Sequence, residues 1–111
     1  MTAEFKQRIH DALGACRAIQ SFTAHVSFDD YSGNLMLRSA VERQFEILGE
    51  ALNRASEPNP AILSSRPDVP RIVGMRNRII HGYDSVDDEI VWDAIQHPIP
   101  PLLAALPDIL R

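Results

Sequence analysis

The stretch 37–52, LRSAVERQFEILGEAL, decides the fold of this chain. Its apolar side chains recur every three or four residues, which is the spacing of one face of an α-helix. We therefore predict a helix over about residues 30–55. Its apolar face consists of Leu37, Val41, Phe45, Leu48 and Leu52. Gly49 inside this helix costs about 1 kcal/mol relative to alanine, and such a glycine indicates that another backbone comes close.

The segment before this helix has the same spacing. Thr2 is predicted to cap a first helix over about 3–24, with one apolar stripe from Phe5 to Ile19. The turn Ser27-Phe28-Asp29-Asp30 joins the two helices and offers caps to the second one.

The segment after it begins with a proline-rich connector, 56–70, which has room for one helical turn around 59–65. Three further helices are predicted: one over about 69–82, one that starts after a cap at Ser85 or Asp87 and is ended by the prolines from Pro98, and one over about 100–110. The residues predicted at their ends are Asp68 as a cap, Gly82 as a stop, Ser85 or Asp87 as a cap, and Pro107 as a disturbance of the final turn. No strand alternation and no internal repeat is present. The pattern predicts an all-α fold, an up-and-down bundle of four to five helices.

Length and composition are those of an ordinary soluble protein. The chain has 111 residues, 45% hydrophobic and 23% charged, so we expect a single domain, 1–111. No apolar run approaches the ~20 residues that span a bilayer, and the charged N-terminal segment is unlike a secretory signal. A single cysteine, Cys16, excludes an internal disulfide. We expect a cytoplasmic protein without a membrane partner.

Charge is unevenly distributed. The formal net charge is −4, which argues mildly against unselective binding of nucleic acid. Residues 66–83 carry four arginines and one aspartate, whereas residues 84–93 carry five acidic residues and no basic one. Ten of the eleven basic residues are arginines, and arginine is the better side chain for bidentate contacts with anions.

The segment 76–83, RNRIIHGY, combines the groups that phosphodiester chemistry needs. The guanidinium of Arg76 can hold phosphate in a planar fork. The imidazole of His81 changes its charge near neutral pH, and Tyr83 adds a phenol. This set can act without a metal, so we predict no metal and no cofactor.

Helix geometry argues against one copy of this segment acting alone. Arg76 and His81 are five residues apart, which places them about 140° apart around an ideal helix. A two-fold dimer would bring two such helix ends to one groove and supply two copies of each group. RNA cleavage needs such a base, an acid and fixed positive charge. Glu46 and Glu50, on the helix of the opening stretch, are candidates to orient Arg76 or Arg78.

The segment also carries a family resemblance. It fits the pattern Arg-x-x-x-x-His-x-Tyr of HepT-like proteins in the HEPN superfamily, and Asn77 fits the polar residue that typically follows the arginine. The flanks resemble the same family at Val41–Ala51, Val73–Met75, Val86–Trp92 and Pro100–Leu103. The resemblance covers about residues 28–106.

The resemblance implies a function. HepT-like proteins are small helical bundles that dimerise with their motifs facing one groove, and they act as metal-independent endoribonucleases. They are the toxins of type VII toxin–antitoxin pairs, whose antitoxin is an MntA-like nucleotidyltransferase. By this likeness Arg76 and His81 are catalytic, Asn77 and Tyr83 support them, and the antitoxin adds AMP to Tyr83. RNA, a second copy and the antitoxin are the implied partners.

Two other interpretations stay open. The chain could be a non-catalytic module that binds a nucleotide or a partner associated with a nucleotidyltransferase. It could also be a structural dimer whose motif only caps helices. The remaining histidines, His10, His25 and His97, have no partners at metal-ligand spacing and are interpreted as ordinary histidines.

Overall fold

The computed structural model describes residues 2–58, 60–63, 66–82 and 86–111, and within those ranges it consists of helices joined by short turns, with no strand. The helices are α1 Ala3–Thr23, α2 Phe28–Ser32, α3 Leu35–Ser56, α4 Pro60–Leu63, α5 Asp68–His81, α6 Asp88–Gln96 and α7 Ile99–Leu110. Two of them, α2 and α4, are single turns. The predicted all-α bundle is confirmed.

α3 is the central helix. It packs most extensively on α1 and on α5, and α7 covers the other side of α1. The predicted face supplies core side chains, since Val41, Phe45, Leu48 and Leu52 are fully buried. α1 adds Phe5, Ile9, Cys16 and Ile19 to the same core. Each fully buried Leu, Ile or Phe side chain contributes about 1.5–3 kcal/mol through the hydrophobic effect, so this face holds the three longest helices together.

The prediction of one helix over 30–55 is wrong at its start, because Gly33 and Asn34 are not helical and separate α2 from α3. Gly33 ends α2, and its N–H donates to the carbonyl of Asp29 at 3.0 Å. Asn34 has an extended backbone and caps α3, its side-chain oxygen accepting from Leu37 N at 3.0 Å. Glycine is a poor helix former and asparagine a preferred cap, so two neighbouring residues favour a break where apolar spacing alone predicts continuity.

Three other helix starts were predicted with a named cap. Thr2 caps α1 as predicted, accepting from Phe5 N at 3.0 Å. Asp87 caps α6, accepting from Glu89 N at 2.8 Å; the alternative cap, Ser85, lies outside the described residues. The prediction for Asp68 is wrong: it is the first residue of α5, nearly buried, and it pairs with Arg66 at 3.2 Å instead of capping the helix.

The C-terminal helix keeps its form through Pro107 and ends at Leu110, so the predicted disturbance of its final turn is not seen. Pro100 and Pro101 lie in its first turn, where a missing N–H is harmless. No helix in the described ranges is long and apolar enough to cross a membrane.

Candidate active site at the end of α5

α5 is fixed to the bundle by one apolar stripe. Val69, Ile72, Met75 and Ile79 are buried at helical spacing and face the core. The residues between them are therefore on the flanks or on the outside of the helix. This arrangement places Arg76 on a flank against α3 and His81, the last helical residue, at the exposed end.

Arg76 is held firmly although its side chain is 26% exposed. Its Nη2 lies 2.7 Å from Oε2 of Glu50, and its Nη1 donates to Oδ1 of Asn77 at 3.1 Å. Its Nε is buried without a hydrogen-bond partner in the described structure. Both outer nitrogens of the guanidinium are thus fixed by neighbours, and these contacts set the orientation of the side chain.

Gly49 makes room for this arginine. A Cβ atom built at Gly49 would lie 2.4 Å from Cβ and 2.9 Å from Cγ of Arg76, distances that real Cβ atoms essentially never show. The sequence predicts a close backbone at this glycine, but the neighbour is the aliphatic stem of Arg76. Gly49 is therefore a positioning residue of the site, and its unusual place inside a helix was the signal for it.

Glu50 is shared between two arginines. Its Oε1 accepts from Nε of Arg54 one turn further along α3, while its Oε2 pairs with Arg76. The hydrogen bond from Arg54, with the charges of Arg76 and Arg54, lowers the pKa of Glu50 below its usual value. The carboxylate is thus ionised at neutral pH. We refer to Arg54, Glu50, Arg76 and Asn77 as the arginine relay.

Glu46 has a different neighbour from Glu50. It pairs with Arg43 on its own helix at 3.0 Å, and no ion pair or hydrogen bond joins it to Arg76 or Arg78 in the described ranges. Of the two acids considered for orienting the motif arginines, the structure brings only Glu50 to the site.

His81 is exposed and faces a different space from Arg76. It lines a cavity of about 350 Å³ between the end of α5 and the start of α6, together with Met75, Arg78 and Val91. Arg76 is not among the residues that line it. These surroundings agree with the angle of about 140° between the two side chains on an ideal helix: within one chain, Arg76 and His81 are not directed at one point.

Of two further residues of the motif, Arg78 and Tyr83, the structure describes only Arg78. Arg78 is exposed and lines the same cavity as His81. It has no ion pair within the described part of the chain. Tyr83, the candidate for modification, lies outside the described residues.

The acidic segment after the motif has structural partners that the sequence did not reveal. Asp88 accepts from Ser32 Oγ at 3.0 Å and lies 3.8 Å from Nε of Arg38. Asp93 pairs with Arg71 of α5 and lies 3.3 Å from Nε2 of His97. These contacts connect α6 to α2, α3 and α5 and thereby fix the position of α6 in the bundle.

Glu42 belongs to the same polar cluster. Burial and the charge of Asp88 raise the pKa of Glu42, and Arg38 only partly offsets them. The ring of Trp92 packs against Tyr31, with 5.5 Å between the ring centroids. Within the described ranges, no group of three or more His, Cys, Asp or Glu side chains could hold a metal ion.

Comparison with known proteins defines the class. The family model described as "Ribonuclease HepT-like" matches residues 12–109, nearly the whole chain. The chain belongs to the HepT-like ribonuclease family.

Its relatives carry names of the same kind. The chain is 31% identical to "Probable ribonuclease HepT" of Thermococcus cleftensis, over 92% of each chain. It is 30% identical to "Putative RNase MJ1380" of Methanocaldococcus jannaschii, over 87% of this chain and 88% of that protein. No solved structure matches the chain at a significant level.

Proposed function

We propose that this protein is a metal-independent endoribonuclease and the toxin of a type VII toxin–antitoxin pair. The observation that carries the proposal is the arginine relay: Arg76 is pre-oriented by Glu50 and Asn77, five residues before an exposed histidine, in a member of the HepT-like ribonuclease family. A guanidinium fixed in advance stabilises developing charge without reorganising during the reaction.

The chemistry assigns each group a step. A base, His81, removes the proton of a ribose 2′-hydroxyl, whose oxygen then attacks the adjacent phosphorus. The bond from phosphorus to the 5′ oxygen breaks, and an acid returns a proton to that oxygen. The products are a 2′,3′-cyclic phosphate and a 5′-hydroxyl. Arg76 stabilises the extra negative charge of the pentacoordinate transition state.

The acid comes from a second copy of the chain. One chain offers one motif histidine, and that histidine is directed away from Arg76. In a two-fold dimer each end of α5 faces its equivalent, so one protomer supplies His81 as base and its partner supplies the acid. The active form is therefore a homodimer with the cleavage site in the groove between protomers.

Regulation acts through Tyr83, two residues beyond His81. An MntA-like nucleotidyltransferase, the antitoxin, adds AMP to its hydroxyl. Each added phosphodiester brings negative charge and bulk to the place where the substrate phosphate lies. Modification thus repels the substrate and inactivates the toxin.

The direct test is cleavage of single-stranded RNA in the presence of EDTA. The parent protein is expected to cut, and His81→Ala and Arg76→Ala are expected to lose at least a hundredfold in rate. Lys6→Ala, at an exposed position of α1 outside the motif, is the control and is expected to cut normally. A parent protein that binds RNA or nucleotides without cutting would favour the non-catalytic module instead.

The dimer is tested by mixing the parent with an excess of the inactive variant His81→Ala. A heterodimer of the two keeps both copies of Arg76 but only one His81, so it has the base or the acid but not both. We expect the cleavage rate of a fixed amount of parent to fall toward that of the variant as heterodimers form. If heterodimers form and the parent chains keep their full rate, a site that takes its base and its acid from two chains is wrong.

The modification is tested by intact mass spectrometry. Incubation with a co-encoded nucleotidyltransferase and ATP is expected to add AMP masses to the parent and none to Tyr83→Phe. An adduct that persists in Tyr83→Phe would remove Tyr83 from this role.

A further inference from the structure

A groove runs along α5 and α6 beyond the candidate catalytic histidine. The cavity next to His81 adjoins a second one of about 440 Å³, and Met75, Arg78 and Ile90 line both. The second cavity extends toward the start of α5, where Pro70, Arg71 and Gly74 line it. We call these two adjoining cavities the α5–α6 groove. Both of its parts fall in the size range of small-ligand sites.

The groove is apolar along its floor and basic along its rim. Met75 and Val91 are buried, and Ile90 is 39% exposed, so an apolar strip is open to solvent. Arg78 stands beside it without an ion pair in the described ranges. Arg71 is paired with Asp93, and Asp87 lies at the His81 end with one oxygen engaged in capping α6. The groove thus offers one unneutralised guanidinium, an apolar surface and one carboxylate acceptor.

Gly74 keeps this groove open. A Cβ built at Gly74 meets nothing within 4 Å, so the packing of the bundle does not require a glycine there. In a helix interior that glycine costs about 1 kcal/mol relative to alanine. Gly14 on α1 is equally free of neighbours, so an open glycine alone is no evidence of a site; Gly74 differs because it lines the groove.

We infer that the α5–α6 groove binds one unpaired nucleotide of the RNA next to the cleaved phosphate. This inference rests on the proposed nuclease function. Unpaired bases are recognised by stacking on guanidinium planes and by hydrogen bonds to their edges, and here Arg78 supplies the plane and Asp87 an acceptor for a base amino group. The apolar strip around Ile90 takes the face of the base. His81 at the end of the groove then lies beside the phosphate of that nucleotide.

The test uses one substitution that fills the groove and one that removes a positive charge from it, each with a matched control. Gly74→Leu fills it, and Gly14→Leu makes the same change on an open surface of α1. Arg78→Ala removes its free cation, and Arg17→Ala removes an exposed arginine that also has no ion pair in the described ranges. Binding is measured by fluorescence anisotropy with a labelled single-stranded 2′-O-methyl RNA, which lacks the attacking hydroxyl and cannot be cut by this chemistry. Cleavage of the matching RNA gives KM and kcat.

We expect Gly74→Leu and Arg78→Ala to weaken binding and raise KM by about tenfold or more, while both controls match the parent. If the parent cuts RNA and neither groove variant changes binding, KM or nucleotide preference, the inference is wrong. If the parent does not cut but both groove variants weaken binding, the groove is supported and the nuclease proposal fails. If Gly74→Leu instead abolishes dimerisation in sedimentation experiments while Arg78→Ala dimerises and binds RNA like the parent, the groove is a protomer interface and the inference is overturned.

Discussion

Gly49→Ala separates the stability of the helix from the placement of Arg76. On an open helix surface, replacing glycine by alanine stabilises a protein by up to about 1 kcal/mol. At Gly49 the new methyl group would lie 2.4 Å from Cβ of Arg76, so α5 must move or the arginine must turn. Overpacking of this kind costs about 1–3 kcal/mol. We therefore expect a net loss of up to about 2 kcal/mol.

The effect on cleavage should be larger than the effect on folding. Both atoms in the clash belong to the stem of Arg76, and a shift of about 1 Å in a reacting or positioning group can cost a hundredfold in rate. We expect Gly49→Ala to reduce kcat by about that factor while KM changes less, because the role proposed for the guanidinium is chiefly in the transition state.

The experiment pairs urea unfolding with the cleavage assay. Gly14→Ala is the matched control, because a Cβ there meets nothing within 4 Å; it should stabilise the protein by up to about 1 kcal/mol and cleave like the parent. If Gly49→Ala gains stability as Gly14→Ala does and cuts at the parental rate, the proposed role of Gly49 in placing Arg76 is refuted.

Three predictions concern individual side chains. Because burial raises the pKa of Glu42, its ionisation opposes folding above about pH 4.5; Glu42→Gln should unfold at higher urea than the parent at pH 7, with the difference vanishing in acid. Because the pKa of Glu50 is lowered, Glu50→Gln should be less stable than the parent at neutral pH and equal to it once pH falls below the folded pKa; a pH-independent difference would contradict this. Burial raises the pKa of the Cys16 thiol to about 12, so a thiol reagent at pH 8 should label it only in denaturant, and rapid native labelling would contradict its burial.

The sequence predicts best what depends on local spacing. The stripe of α1, the cap at Thr2 and the buried face of α3 follow from positions three and four residues apart, and each is found in the structure. Apolar spacing alone does not predict the break at Gly33. The Gly-Asn pair indicates it, because glycine is a poor helix former and asparagine is a preferred cap. The prediction of Asp68 as a cap is wrong because Asp68 is buried and pairs with Arg66. Helix-end chemistry alone does not predict that pair.

The site is predicted less completely, because its geometry depends on contacts between helices. The helix position of Glu50 makes it a candidate for orienting Arg76, but Glu46 is an equal candidate in the sequence, and only the contacts of the folded chain separate the two. The link from Arg38 to Asp88 spans fifty residues and has no local pattern at all. The sequence therefore shows an acidic segment, 84–93, without visible partners. In the structure, Asp88 and Asp93 of this segment pair with arginines of neighbouring helices.

The arginine relay bears on how a substrate could enter. Glu50 uses one oxygen for Arg54 and the other for Arg76, so a phosphate that replaced it beside Arg76 would not leave the carboxylate without a cation. A carboxylate bound by a single arginine would lose its only counter-charge in that exchange, which is costly in a partly buried site. Because Arg54 keeps Glu50 paired, a phosphate could replace Glu50 beside Arg76 while the guanidinium stays in place. When the phosphate leaves, Glu50 can pair with Arg76 again.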